Sequence, residues 1–227
     1  MTDARRWMAE GTKLLQEAAD RIDDAGLSAP TALPGWSRRH LLAHVSANAD
    51  ALRRLAHWAR TGEERRMYDS ADQRTAEIEQ GSRLPVGELR SWLRTSAEAL
   101  ADDLAALTPA SWEHTVVTAQ GRTVPATEIP WLRSREVMIH AVDLDAGVGF
   151  ADLPRDFLHR LVADVVAKRP GGGPSLVLTD VGIGQVWHVA GTGEPVEVAG
   201  VLVEIAAWLT GRPNAPAGAL PDLPPWL

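Results

Sequence analysis

The sequence predicts an α+β fold, a four-helix bundle over residues 1–149 followed by a small α/β domain over 150–227. Three observations carry this. Four stretches of about 20 residues repeat apolar side chains at three- and four-residue spacing. After Gly149 the pattern changes to short runs separated by glycine turns. The 227 residues, 45% hydrophobic, suffice for a sizeable core.

The first helix is expected over 4–25, with Trp7, Met8, Leu14, Leu15, Ala18, Ala19 and Ile22 on one stripe and Gly26 as its stop. Pro34-Gly35 is a turn signal, and Ser37 is a suitable N-cap for a second helix over 38–60. Trp36, just before that cap, is placed to staple onto the helix. Residues 61–85 are polar and read as a connection with a short helix near 70–80. A third amphipathic helix fits 86–107 and ends at Thr108-Pro109. Val116-Val117-Thr118 reads as extended, followed by a turn at Gln120-Gly121-Arg122. Pro125 is placed to open the fourth helix, Pro130 to kink its first turns and Gly147 to end it.

The second domain opens with a helix over 153–169, starting at Pro154 and broken by the Pro/Gly run at 170–174. Three strands are expected at 175–179, 185–189 and 195–198, then a helix over 200–210 and an irregular Pro/Ala-rich tail. The Gly-rich run precedes a strand, the wrong order for phosphate binding, and reads as a linker.

Composition narrows the function. Net charge is −7 with no basic tract, which argues against nucleic acid as a partner. No apolar run approaches the ~18 residues of a membrane span, and the N-terminus carries no apolar signal region. A soluble cytoplasmic protein, acting as a monomer, is expected. Cysteine is absent, which excludes disulfides, thiolate ligands and a cysteine nucleophile, so any thiol chemistry needs a thiol from a small molecule. All but two of the 23 basic side chains are Arg, and nine Trp outnumber two Phe and one Tyr.

The candidate site lies on the fourth helix. At about 100° per residue, Leu132, Glu136, His140, Asp143 and Leu144 share one third of the circumference from Trp131 to Leu144. A carboxylate and an imidazole one turn apart on an inward face need compensation. Three forms are open: a Glu136–His140 contact, an Arg133–Glu136 pair, or a metal ion. On the second helix His44 lies at the centre of the apolar stripe with Asn48 one turn on. It reads either as a hydrogen-bonded core histidine or as a third ligand. His40 forms a competing HxxxH pair with His44, but its first-turn position suits capping or exposure. Asp143 is either an acceptor for the His140 ring or a helix-end surface charge. No GxGxxG, P-loop, GxSxG or HExxH motif occurs.

Leu33-Pro34-Gly35-Trp36-Ser37, His40-Leu41-Leu42-Ala43-His44-Val45 and the run from Arg133 through Glu136 and His140 to Leu144 resemble the DinB-like, mycothiol-dependent metalloenzymes. Gly62-Glu63-Glu64 with Met67-Tyr68, the block Thr118-Ala119-Gln120-Gly121-Arg122-Thr123-Val124-Pro125 and the closing Pro224-Pro225-Trp226-Leu227 are similar to the maleylpyruvate isomerase family among them. The resemblance implies a DinB-like bundle followed by a sterol-carrier-like domain. It implies zinc held by His44, Glu136 and His140, mycothiol as thiol cosubstrate, and Arg212 as the residue important for activity. The activity implied is cis-trans isomerisation of maleylpyruvate to fumarylpyruvate in gentisate-type aromatic degradation. Two alternatives remain: a mycothiol S-transferase of the same fold, and a non-catalytic module that binds a small apolar ligand.

Overall fold

The computed structural model describes residues 2–169, 173–218 and 220–224. The Pro/Gly run at 170–174 and the closing Pro224-Pro225-Trp226-Leu227 therefore lie partly outside the described residues. The chain divides into two compact units, Met1–Val148 and Gly149–Leu227. Among the described residues no helix is long and apolar enough to cross a membrane.

The first unit runs α1 (Asp3–Asp20), α2 (Arg38–Thr61), α3 (Ala71–Ser82), α4 (Val86–Ala105), α5 (Pro109–Glu113), a hairpin of β1 (Thr115–Val117) with β2 (Thr123–Pro125), and α6 (Ile129–Asp143). Helices α1, α2, α4 and α6 form the bundle, and α3 lies against α2. Leu15, Ala18, Leu41, Leu42, Val45, Leu89, Leu93, Val137 and Leu144 fill one part of its core. Leu52, Leu55, Leu100, Leu104, Ile129 and Leu132 fill the other, where Val116 and Val124 close the hairpin onto it.

Three boundaries of α1 and α6 differ from those expected, each for a local reason. Helix α1 stops at Asp20 rather than 25, because the Asp23 carboxylate accepts from Gly26 N at 2.6 Å and draws the backbone into a turn. Helix α6 begins at Ile129: Pro125 ends β2, a 3-10 turn spans Ala126–Glu128, and Pro130 occupies the first turn. Its missing N–H would have no intrahelical partner there, so it produces no kink. The helix ends at Asp143, since Asp145 adopts φ of +50° two residues before Gly147. The five-residue α5, whose Thr108 hydroxyl accepts from Ser111 N at 3.1 Å, was not anticipated.

Helix α6 is held closely by α1. A Cβ added to Gly11 would meet Val137 at 2.6 Å and Met138 at 3.0 Å, so glycine alone permits the approach. The Ser134 hydroxyl donates to Ala4 O at 2.9 Å, and the Trp7 and Trp131 rings meet edge to face at 5.8 Å.

In the second unit, a 3-10 turn (Phe150–Asp152) leads into α7 (Arg155–Lys168), β3 (Pro174–Asp180), β4 (Gln185–Val189), β5 (Thr192–Gly200) and α8 (Leu202–Leu209). The sheet order is β4-β3-β5, with β4 antiparallel and β5 parallel to β3. To pass from β4 to β5 the chain crosses the start of β3 so closely that a Cβ on Gly191 would lie 2.4 Å from Pro174 backbone. Strand β5 is longer than the expected 195–198; it tolerates Pro195 as a sheet edge. Buried Asp180, at the end of β3, accepts from Gly182 N at 2.9 Å and Arg155 Nη2 at 3.0 Å, which fixes the following turn.

Gly11→Val should lower unfolding free energy by about 2 kcal/mol in urea titrations, because the α1–α6 contact is overpacked. Gly87→Ala in α4, where nothing lies within 4 Å, should raise it by about 0.5 kcal/mol.

Candidate metal centre

His44 sits in the middle of α2, and Glu136 and His140 lie one turn apart on α6. The fold brings all three together. Glu136 Oε2 is 3.0 Å from His44 Nε2 and 3.4 Å from His140 Nε2, and three potential ligand atoms lie within 4.8 Å of one another. The imidazoles face each other edge to face at 4.9 Å. Trp36, in the loop before α2, covers the His44 ring at 5.2 Å.

The register between α2 and α6 is set by Arg133, a fully buried guanidinium. Its Nη1 donates to Val45 O at 2.7 Å and to Asn48 Oδ1 at 2.9 Å. Arg133 therefore reaches across to α2 instead of forming the i,i+3 pair with Glu136 that its spacing suggested. It still lies within the field of the Glu136 carboxylate, while burial pushes its own pKa down to about 10.

Electrostatics concentrate negative charge at one point. Burial alone would raise the Glu136 pKa, but hydrogen bonds from His140 and His44 hold it well below the usual carboxylate range. Burial lowers the His44 pKa despite Glu136, so this imidazole favours its neutral form. At His140 burial is outweighed by Asp143 and Glu136, and the pKa is raised. An ionised carboxylate between two imidazoles thus draws a positive charge, either a proton on His140 or a metal ion. Asp143 Oδ2 lies 2.9 Å from His140 Nδ1 and is buried, so the surface-charge reading fails. That contact directs Nδ1 toward Asp143, so a bound metal ion would take the lone pair of His140 Nε2 in place of the proton shared with Glu136. Two imidazole nitrogens and one carboxylate oxygen suit zinc, with a coordination position left over.

His40 does not join the cluster. Its Nδ1 lies 2.7 Å from the Ser37 hydroxyl in a capping box, and its Nε2 is 3.5 Å from Glu79. His57 faces Glu63 at 3.4 Å in an exposed position. Arg212 belongs to the second unit, just past α8, where its N–H donates to Ala207 O at 2.8 Å and its Nη1 donates to Thr210 O. Two residues beside the cluster were not singled out in the sequence. Arg74 of α3 places Nη2 3.3 Å from His44 Nδ1, with its guanidinium carbon 5.9 Å from the centre of the Tyr68 ring. Burial raises the Tyr68 pKa to about 12, so its hydroxyl remains a donor. Met67-Tyr68 carried a family resemblance but no role, and Arg74 lay in a polar connection without periodicity.

Residues 8–145 match the family described as the mycothiol maleylpyruvate isomerase N-terminal domain. The crystal structure of the mycothiol-dependent maleylpyruvate isomerase is similar at 39% identity and a TM-score of 0.95, over 99% of this chain and 96% of that one. A histidine-to-alanine mutant of that enzyme matches at 38% identity and 0.94 over the same shares. YfiT from Bacillus subtilis, with an unusual four-helix bundle topology, shares the fold over 64% of this chain and 86% of its own, at 12% identity and a TM-score of 0.54. A search of curated protein sequences finds no match.

Asp143→Asn should keep the helical circular dichroism spectrum and weaken divalent-metal affinity about 10- to 100-fold, read by competition with a chromophoric chelator. Unchanged affinity would remove Asp143 as the residue that orients His140.

Proposed function

This chain belongs to the mycothiol maleylpyruvate isomerase family, and from that membership we propose that it isomerises maleylpyruvate to fumarylpyruvate with mycothiol as thiol cosubstrate and zinc at His44, Glu136 and His140. The observation that supports this most is the assembled His44–Glu136–His140 cluster in a chain that contains no cysteine. A cis double bond does not rotate at ambient temperature. A thiolate that adds to the conjugated alkene forms a C–S bond and sends the π pair onto the carbonyl oxygen. The former double bond is then single and rotates; expulsion of the thiolate restores C=C in the trans form. No oxidant or reductant is consumed, and the thiol is regenerated.

Zinc, when bound, supplies a Lewis acid that stabilises the thiolate and polarises the carbonyl. The protein's own residues prepare the place. Glu136 and the two imidazoles would hold the cation, Asp143 would keep His140 in its ligating tautomer, and Trp36 excludes water from one side of His44. In this reading residues 1–149 form the metal-binding domain, and 150–227 contribute Arg212 to bind a substrate carboxylate. An S-transferase of the same fold would use the same residues and differ in its product.

Maleylpyruvate should be consumed, with trans product formed, only when divalent metal and mycothiol are both present. Turnover without added thiol would contradict the mechanism, and a stable thioether would identify the S-transferase. Replacing His44 or Glu136 by Ala should abolish metal retention. Arg212→Lys should retain metal and lose turnover, because a point charge does not copy the guanidinium fork.

A further inference from the structure

Arg74 is set apart from the other charged side chains of this region. Arg53 is paired with Asp103 at 2.7 Å, Arg54 with Glu77 at 3.5 Å, and Arg66 with Glu64 at 3.1 Å. Among the described residues, no ion pair joins Arg74 to a carboxylate. Its polar neighbours are His44 Nδ1 at 3.3 Å and the Tyr68 hydroxyl. The contact with His44 is compatible with only one tautomer of that ring. An imidazole that ligates through Nε2 carries its proton on Nδ1 and cannot accept there, so the guanidinium then has donors to spare.

Charge leads to the same place. Around the cluster two carboxylates, Glu136 and Asp143, balance two guanidiniums, Arg74 and Arg133. Asp50, which also lies in the field of Arg133, accepts from Trp92 Nε1 at 2.7 Å and pairs with Arg53 at 3.4 Å. A divalent ion therefore leaves about two positive charges to be met by ligands, in a partly buried site where unbalanced charge is costly. A thiolate supplies one negative charge. A planar carboxylate suits the guanidinium fork, and Arg133, fully buried and committed to Val45 and Asn48, is not available to it.

We propose that Arg74 is the anion anchor of the first unit: its guanidinium receives one carboxylate of the dicarboxylate substrate beside the cluster. This rests on the isomerase reading for the identity of the substrate, but not for the existence of the anion site. Arg74 is then a cation on α3 that selects diacids over neutral electrophiles. The Tyr68 ring, 5.9 Å from the same guanidinium carbon, helps to orient it.

The test uses maleate, the bare cis dicarboxylate, titrated calorimetrically into zinc-loaded full-length protein, alongside metal content by mass spectrometry. Wild type should bind maleate; Arg74→Gln should retain zinc and bind maleate about 10- to 100-fold more weakly. In turnover, the same variant should raise KM for maleylpyruvate while leaving KM for mycothiol within about twofold, an expectation that follows from losing one substrate contact alone. Equal maleate affinity with zinc retained, or no maleate binding by wild type, overturns the proposal. Loss of zinc from Arg74→Gln also overturns it, since Arg74 would then be a positioning residue for His44. Should Arg74→Gln not fold, Arg74→Lys, which keeps the charge without the fork, takes its place. Arg74-dependent maleate binding in a protein that leaves maleylpyruvate unchanged would uphold the anchor and reject the isomerase reading. Isomerisation with undiminished maleate affinity in the variant would do the reverse.

Discussion

The contact on which the site depends is a single carboxylate oxygen shared by two imidazoles on different helices. Glu136 Oε2 approaches His44 at 3.0 Å and His140 at 3.4 Å, on a half-buried stretch of α6. Such an arrangement persists only where α2 and α6 are kept at a fixed distance and register, because an ionised group left without partners in a core costs several kcal/mol. Three features meet that condition. Arg133 links α6 to the Val45 carbonyl and Asn48. Asp143 fixes the His140 ring from behind. On the opposite side, Gly11 lets α1 press against Val137 and Met138, the two residues that follow Glu136. The polar cluster is therefore a consequence of apolar packing one residue away from it.

Much of this was legible in the sequence because it obeys short-range rules. The four long helices follow from the 3.6-residue period, and the cluster's inward face follows from Glu136, His140 and Leu144 sharing one stripe. Gly11 gave no such signal, since a helical glycine that relieves a close approach resembles one that merely weakens the helix. The limits of α1 and α6 were misplaced where side-chain chemistry overrode pattern. Asp23 stops α1 before Gly26, and Pro130 opens α6 without bending it. Arg74 was missed for a different reason. It belongs to a helix of weak amphipathicity, and only the packing of α3 on α2 brings its guanidinium to His44.

The second unit shows a complementary balance. Its strands were visible from β-branched runs between glycines, yet their order was not. A mixed sheet with β3 at its centre requires the chain to cross that strand after β4, and the crossing is set by Gly191 against Pro174. No local pattern distinguishes that glycine from one in an ordinary hairpin.

The contact at Gly11 also has a mechanical meaning. Side chains extend about 5–6 Å from a helix axis, so a rotation of α6 by about 10° would carry the Glu136 carboxylate roughly 1 Å sideways. Displacements of that size at a reacting centre change rates by about a hundredfold. A rotation of α6 about its α1 interface would therefore shift the carboxylate against its imidazole partners. Substitutions buried among Val137, Met138 and their α1 neighbours, none of which is itself a candidate ligand, are thus a means of tuning the centre by torsion of its support.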